Sequence, residues 1–428
     1  MLPEGWTRST LGECSKLISG NTPSKERQDY WSGEFPWVTV KDMKSFWVRR
    51  TGLTLTEAGK AAASVAPENS ILVVTRGMAL LKDLPISLAM RDVAFNQDIK
   101  AIVPTHGLDA RFLAYQLQSK KHVVLDMVDT AGHGTGKLDT DLLKSVDLVL
   151  PTIQEQRRIA QILGTWDQAI ATTERLLSSS RKQWNALLGI TLNLPCANPD
   201  ASTPTDNGGF PASVQPGIPT LPAAPAGWRR IQLRDHLKEV RRPVALKEDE
   251  SYTLVTVKRS RGGVALREVL RGNEVKTPTQ FHVRTGDFLI SKRQIVHGAC
   301  GIVPPELDGA VVSNEYSVLN TDGEIDLKFL RYLSETRYFQ QTCFHSSIGV
   351  HVEKMIFKTD HWLSWPFNIP PLDQQRRIVE IMDTASREIA AIAEQLKVLK
   401  REKSALMSQL LTGKRRVKLP EPDTEPHA

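Results

Sequence analysis

The chain has 428 residues, 55 Lys plus Arg against 48 Asp plus Glu, a formal charge of +7 and 40% hydrophobic residues. At about 100–200 residues per domain this length predicts two or three domains, and no apolar run approaches the roughly 20 residues of a membrane span. Four scattered cysteines (Cys14, Cys196, Cys300, Cys343) argue against a disulfide or zinc scaffold; with a start that lacks a signal peptide, they fit a reducing cytoplasm.

In chain order, residues 1–150 mix short β-like runs, such as Ile71-Leu72-Val73-Val74-Thr75, with helical patches and many Gly and Pro turns. Residues 151–193 read as a first long helix with a seam at Ile159, Leu163, Trp166, Ile170, Thr173, Leu177, Ser180, Trp184 and Leu187. Residues 194–226 read as an extended linker that need not pack, because Pro195 to Ala226 holds eight prolines and almost no charge. Residues 227–369 form a second mixed region, with a strand at Asp287-Phe288-Leu289-Ile290-Ser291. Residues 370–412 read as a second long helix. Its 4-3 spacing runs through Ile378, Met382, Ala385, Ile389, Ile392, Leu396, Leu399, Lys403, Leu406 and Leu410, and nine of those ten positions are apolar. That is a coiled-coil seam. A single core helix would show a similar stripe, but two copies in one chain offer each other a partner. Residues 413–428 form a basic and then acidic tail.

The order just described is a repeat. Residues 151–170 and 370–389 share eight of twenty identities at an offset of 219. Pro3-Glu4-Gly5-Trp6 recurs as Pro225-Ala226-Gly227-Trp228, Val38-Thr39-Val40-Lys41 as Val255-Thr256-Val257-Lys258, and Phe112-Leu113-Ala114-Tyr115 as Phe329-Leu330-Arg331-Tyr332. The expected fold is α/β (α+β): two globular mixed domains separated by two long antiparallel coiled-coil helices, in a pseudo-twofold tandem repeat. A linker rising about 3.1 Å per residue can retrace a helix rising about 1.5 Å per residue, which predicts a dumbbell. Its heads diverge more than its helices, so one scaffold presents two specificities. Duplex DNA, with base edges at fixed spacing, suits such a reader.

Gly20-Asn21-Thr22-Pro23-Ser24, Tyr30-Trp31 and Pro36-Trp37-Val38-Thr39 resemble the opening of a target-recognition domain in type I restriction–modification specificity subunits. Phe95-Asn96-Gln97-Asp98, Leu150-Pro151 with Glu155-Gln156 and Ile159, and Leu410-Leu411-Thr412-Gly413-Lys414 are similar to that family too. The second head departs from it, with Val312-Ser313-Asn314-Glu315 in place of the Phe-Asn-Gln form. The resemblance implies target-recognition domains at 1–150 and 227–369, and spacer helices at 151–193 and 370–412. It implies a non-catalytic subunit that reads a bipartite asymmetric site in double-stranded DNA. It also implies docking of two methyltransferase subunits and of motor-nuclease restriction subunits. S-adenosylmethionine, ATP and Mg²⁺ are then expected on those partners, with no cofactor or metal in this chain.

Consistent with that reading, catalytic motifs are missing. Gly132-His133-Gly134-Thr135-Gly136-Lys137 departs from a phosphate loop at Ala131 and Leu138, and there is no His-Glu-x-x-His run. This glycine-rich turn either lies near DNA or ends a loop. Arg and Lys reach guanine or phosphate, and Asn and Gln can pair with adenine. The DNA-binding candidates are therefore Lys41, Lys44, Arg76, Asn96 and Gln97 in the first head, and Lys258, Arg259, Arg261, Lys292, Arg293 and Gln294 in the second. The coiled-coil or partner interface falls to Ile159, Leu163, Trp166, Ile170, Leu177, Ile378, Met382, Ile389, Ile392, Leu396 and Leu399. Arg157-Arg158 and Arg376-Arg377, repeated where the helices start, suit either phosphates or ion pairs between repeats. A coiled-coil scaffold without DNA binding is the alternative function.

The charge is unevenly placed. Arg229 to Arg293 holds sixteen basic and eight acidic residues, Leu396 to Lys418 holds eight and one, and the remainder is net negative. Exposed charge acts within a Debye length of about 8–10 Å, so this distribution matters more than the total.

Overall fold

The computed structural model describes residues 2–105, 107–131, 134–194 and 217–419. The chain forms two compact units, Met1–Thr173 with Gln395–Ala428, and Glu174–Glu394. Each unit therefore contains one head and a part of both long helices.

In the first unit, Thr7–Thr10 pairs antiparallel with Asp147–Leu150, closing the head where the chain leaves it for the helix. One sheet runs in the order Ser15–Ser19, Ile99–Pro104, Ile71–Val74, Ile86–Ala89 and Trp47–Val48. Every residue of Ile71–Val74 is buried. A strand covered on both faces needs such an unbroken apolar run. A second sheet runs Leu53–Leu55, Trp31–Val38, Val93–Phe95 and Val65–Ala66, its central pair parallel with Phe95 opposite Val38. A hairpin, Val128–Ala131 with Thr135–Leu138, adds the short strand Arg76–Gly77 to its edge. Thr135–Lys137 of the near-miss phosphate loop is thus a sheet strand, while Gly132 and His133 lie outside the described residues.

The second unit repeats the core of this plan, with no strand at the place of Trp47–Val48 and an added edge strand, Pro243–Val244. Arg229–Gln232 pairs with Pro366–Ile369. Leu237–Glu239, Tyr316–Thr321, Phe288–Ser291 and Cys300–Ile302 form one sheet, in the order of their first-unit counterparts. Val264–Arg271, Ser251–Val257, Val311–Ser313 and Gln280–His282 form the other, again with a parallel central pair, Leu254 opposite Val311. Val311–Ser313 takes the place of Val93–Phe95 with its register moved by one residue, so Ser313-Asn314-Glu315 occupies the position of Asn96-Gln97-Asp98.

The long helices span Ile153–Leu192 and Leu372–Leu410, 40 and 39 residues, each about 60 Å at 1.5 Å per residue. The predicted seam faces inward. Ile159, Leu163, Leu177, Ile378, Met382 and Ile392 are buried, and Trp166, Ile170, Ile389, Leu396 and Leu399 are half-buried. Within the first unit the two helices run antiparallel. Asp167 meets Lys403, while Glu155, further back along the first helix, meets Arg416, beyond the end of the second. Within the second unit Trp184 Nε1 donates to Ser386 Oγ at 3.0 Å, and Leu188 and Leu192 share a core with Ile378 and Met382. Ile159 and Leu163 pack with Trp6, Phe112 and Tyr115 of the head as well as with Leu410, and Ile378 and Met382 with Phe329 and Tyr332.

Both units clamp head to helix with the same device. Gln156 accepts from Asp109 N at 2.9 Å and donates to Pro151 O at 2.9 Å; Gln375 accepts from Asp326 N at 2.8 Å and donates to Pro370 O at 3.0 Å. Asp109 and Asp326 in turn cap the head helices Ala110–Ser119 and Leu327–Leu333, Asp109 accepting from Phe112 N and Asp326 from Lys328 N and Phe329 N, which satisfies orphan donors of the first turn.

The linker was expected to need no packing of its own; its described end, residues 217–226, nevertheless makes contacts with the second head. Leu221 packs against the second core, and Pro222 O accepts from Asn368 Nδ2 at 3.0 Å. The apolar and carbonyl groups of a Pro-rich segment still need partners when a head offers them. Residues 195–216 lie outside the described residues.

Candidate nucleic-acid interface

Two parallel strands end at the same sheet edge, so whatever follows them emerges together. In the first unit this geometry gathers three chain segments. Asn96 N donates to Val38 O at 3.1 Å, and Thr75 N and Arg76 N donate to Asp98 O at 2.8 and 3.3 Å. Lys41 follows on the 3-10 turn Val40–Asp42, held by a Thr39–Asp42 capping box. Lys41, Lys44, Arg76 and Gln97 are exposed on this edge, and Gln97 accepts from Thr22 Oγ1 at 2.6 Å. Among the described residues, no carboxylate pairs with Lys41, Lys44 or Arg76.

The residues that carried the family resemblance are the frame of this edge. A Cβ on Gly20 would lie 2.1 Å from Asn96 O, so only glycine lets the two segments touch. Asn21 accepts from Ser64 N at 2.6 Å and donates to Ala62 O at 2.9 Å, and Trp37 Nε1 donates to Asn21 O at 3.3 Å. Asn96 belongs to this frame too in this structure. It is 9% exposed and its amide donates to Asp98 Oδ2 at 2.9 Å.

The second unit builds the equivalent edge from Lys258–Gly263, Asn314-Glu315 and Lys292–Gln294. Here the cations have partners. Arg259 Nη2 lies 2.7 Å from Glu353, Arg293 Nε lies 2.5 Å from Glu315, and Lys292 Nζ donates to Asn314 O at 3.1 Å and lies 3.5 Å from Glu239. Glu315 holds the Arg293 guanidinium above its usual range, chiefly by their hydrogen bond. Lys258 is exposed and has no carboxylate partner among the described residues. Two candidates turn inward. The Arg261 side chain is 7% exposed and paired with Glu335 at 2.5 Å, on a turn whose Ser260 and Arg261 adopt positive φ of 54° and 57°. Gln294 is half-buried with its Oε1 enclosed. The turn packs onto His297 and Gly298 through Ser260 N and Arg261 N, so Arg261 and Gln294 belong to the frame of the edge in this structure. Burial raises the Glu335 carboxyl above its ordinary range, against the pull of Arg261. Burial, and then Arg259, hold His297 below its own despite Glu353.

The repeated arginines where the helices start form no ion pairs among the described residues. Arg158 Nη1 donates to Gln161 Oε1 at 2.9 Å, and Arg157, Arg376 and Arg377 are exposed. Sequence reasoning missed the carboxylates Glu315, Glu335 and Glu353, which lie 22, 74 and 94 positions from their arginines. No local pattern encodes such pairs.

Residues 3–179 match the family model for the type I restriction modification DNA specificity domain. The chain is 32% identical over 161 residues to the EcoR124I/EcoR124II specificity subunit of Escherichia coli, a stretch spanning 37% of this chain and 40% of that one. The MjaVIII specificity subunit of Methanocaldococcus jannaschii is 20% identical over 432 residues, 97% of this chain and 94% of that one. The solved S subunit from M. genitalium shares the fold at a TM-score of 0.56 and 13% identity, over 95% of this chain and 96% of that one. A chain from a structural study of type I R-M complex assembly and conformational transition gives 0.55 at 17% identity, covering 97% of this chain and 100% of that one. No described helix is long and apolar enough to cross a membrane. Residues 3–179 thus match a type I restriction modification DNA specificity domain, and the relative that is similar over nearly the whole chain is a type I restriction enzyme specificity subunit.

Proposed function

We propose that this chain is the sequence-reading subunit of a type I restriction–modification complex, each head reading one half of a bipartite asymmetric DNA site. The observation that carries the reading is the duplicated edge. Twice in one chain, a parallel strand pair and a third strand deliver basic loops to one place on a rigid frame. Phosphate contacts would set register there, and side chains on base edges would set sequence. Because the two edges differ in sequence, the half-sites differ. The reaction itself falls to partners: two methyltransferase subunits bearing S-adenosylmethionine, and restriction subunits using ATP and Mg²⁺.

Methylome mapping in a host carrying the chain with its methyltransferase tests this. The expected result is one bipartite motif. Exchanging residues 227–369 for those of a relative should change one half-site alone. Deleting one heptad from each helix should change the spacer and leave both half-sites intact. A head exchange that leaves both half-sites unchanged would remove the two-reader reading. The scaffold alternative is met if the chain binds methyltransferase but selects no sequence.

A further inference from the structure

The hairpin on each edge carries an outward row whose chemistry differs between the heads. In the first head Lys137 stands directly opposite Asp129 on one side and Arg76 on the other. In the second head Ser347–Ile348 pairs with Ile356–Phe357, Ile348 opposite Ile356. The two hairpins are equivalent: Leu138 N donates to Thr75 O at 2.9 Å, and Phe357 N donates to Lys292 O at 2.9 Å. Ile348 and Ile356 thus stand where Asp129 and Lys137 stand, and Arg293 stands where Arg76 does. These apolar side chains are not core. Ile348 is 66% exposed, Ile356 41%, and Val350 at the turn 96%.

Three exposed aliphatic side chains on one small hairpin cost solvation unless something covers them. Their surroundings say what. Arg293 lies in the same row, Arg259 meets the hairpin through Glu353, and Lys258 is on the same edge. Arg293 and Arg259 are balanced by Glu315 and Glu353, and Lys258 has no carboxylate partner among the described residues; an apolar spot on an edge of such polar, exchangeable charges fits a DNA groove better than an apolar protein face. The one apolar group DNA offers to a protein in its major groove is the thymine 5-methyl. Charged rows instead match G·C pairs, since Lys and Arg donate to guanine and Asp accepts from cytosine N4.

Resting on the DNA-reading role above, we propose that the row Arg293–Ile356–Ile348, with Val350 at its tip, reads thymine methyl groups in the second half-site. The row Arg76–Lys137–Asp129 is its G·C-reading counterpart in the first.

The test uses the full chain assembled with its methyltransferase subunits. Selection from randomised duplexes defines the two half-sites, and uracil then replaces each thymine in turn, removing only the methyl. Binding should weaken about three- to fivefold at one or more thymines of the second half-site. The double variant Ile348→Ala/Ile356→Ala should bind the thymine duplex more weakly and lose that sensitivity. Ile348→Asp with Ile356→Lys should shift the second half-site toward G·C and leave the first unchanged. Indifference of the wild-type assembly to every uracil in that half-site overturns the proposal, and needs no variant to fold. So does a double variant that keeps its site but sheds methyltransferase, which would make the hairpin a protein-docking surface. Failure of the wild-type assembly to select any site overturns the DNA-reading role itself, and this proposal with it.

Discussion

The joint between head and helices occurs twice, and the two versions solve one problem with different chemistry. In the first unit Tyr115 OH donates to Asp167 at 2.6 Å, and Lys403 Nζ meets the same carboxylate at 2.5 Å while lying 5.2 Å from the Tyr115 ring centroid. At the repeat-equivalent positions of the second unit, Trp184 stands for Lys403, Ser386 for Asp167 and Tyr332 for Tyr115. Trp184 donates to Ser386, its ring lies 6.4 Å from that of Tyr332, and the tyrosine hydroxyl donates to Asp383. Burial raises both phenols, Tyr332 to about 12. The place of the joint is set by the repeat; its chemistry is free. The charged version desolvates two ions, with only 13% of the Lys403 side chain and 17% of the Asp167 side chain exposed. The aromatic version relies on buried area. Lys403 is also the one polar residue in an otherwise apolar seam run. A lone polar seam residue of this kind fixes register at some cost in stability.

The largest effect should come from breaking the charged joint on one side. Lys403→Ala leaves Asp167 buried without its cation and is expected to cost about 3–5 kcal/mol, read by denaturant unfolding. Installing the other unit's chemistry, Asp167→Ser with Lys403→Trp, should recover most of that loss. If it does not, the two joints are not interchangeable. Trp184→Ala should cost about 2–4 kcal/mol through lost packing, whereas Trp184→Phe should lose only about 1 kcal/mol, the hydrogen bond to Ser386.

The glutamine clamp is the control, because it is chemically identical in both units. Gln156→Ala and Gln375→Ala should each cost about 1–3 kcal/mol. Unequal losses would show that the heads lean on their helices differently. The two edges differ in a way that appears in salt dependence rather than stability. Lys41→Ala with Arg76→Ala should lower the slope of log K against log salt by about 2 if each cation meets a phosphate. Arg259→Ala should change that slope less, since Glu353 already neutralises it, and should leave the melting temperature unchanged because the pair is exposed.

Much of this was legible beforehand. The 219-residue offset, the coiled-coil spacing of Ile378 to Leu410 and the all-apolar run Ile71–Val74 are periodic or repeated signals, and each became the expected element. The interface was legible only as a region. Lys41, Lys44, Arg76, Gln97 and Lys258 stand exposed on the edges, but Asn96, Arg261 and Gln294 point into the frame. Residue type announces what a side chain can bond. It is silent on whether Asp98 or Glu335 has already taken the bond.

The sequence by itself determined the duplication, the two long helices and their seam, and the order of the parts, because periodicity and repetition are properties of the chain alone. Tertiary structure decided which cations remain unpaired and which glycine must be glycine. It also set Ile348 and Ile356 where the other head has Asp129 and Lys137. Those facts depend on segments 22 to 94 residues apart meeting at one sheet edge, and a linear pattern does not record such meetings.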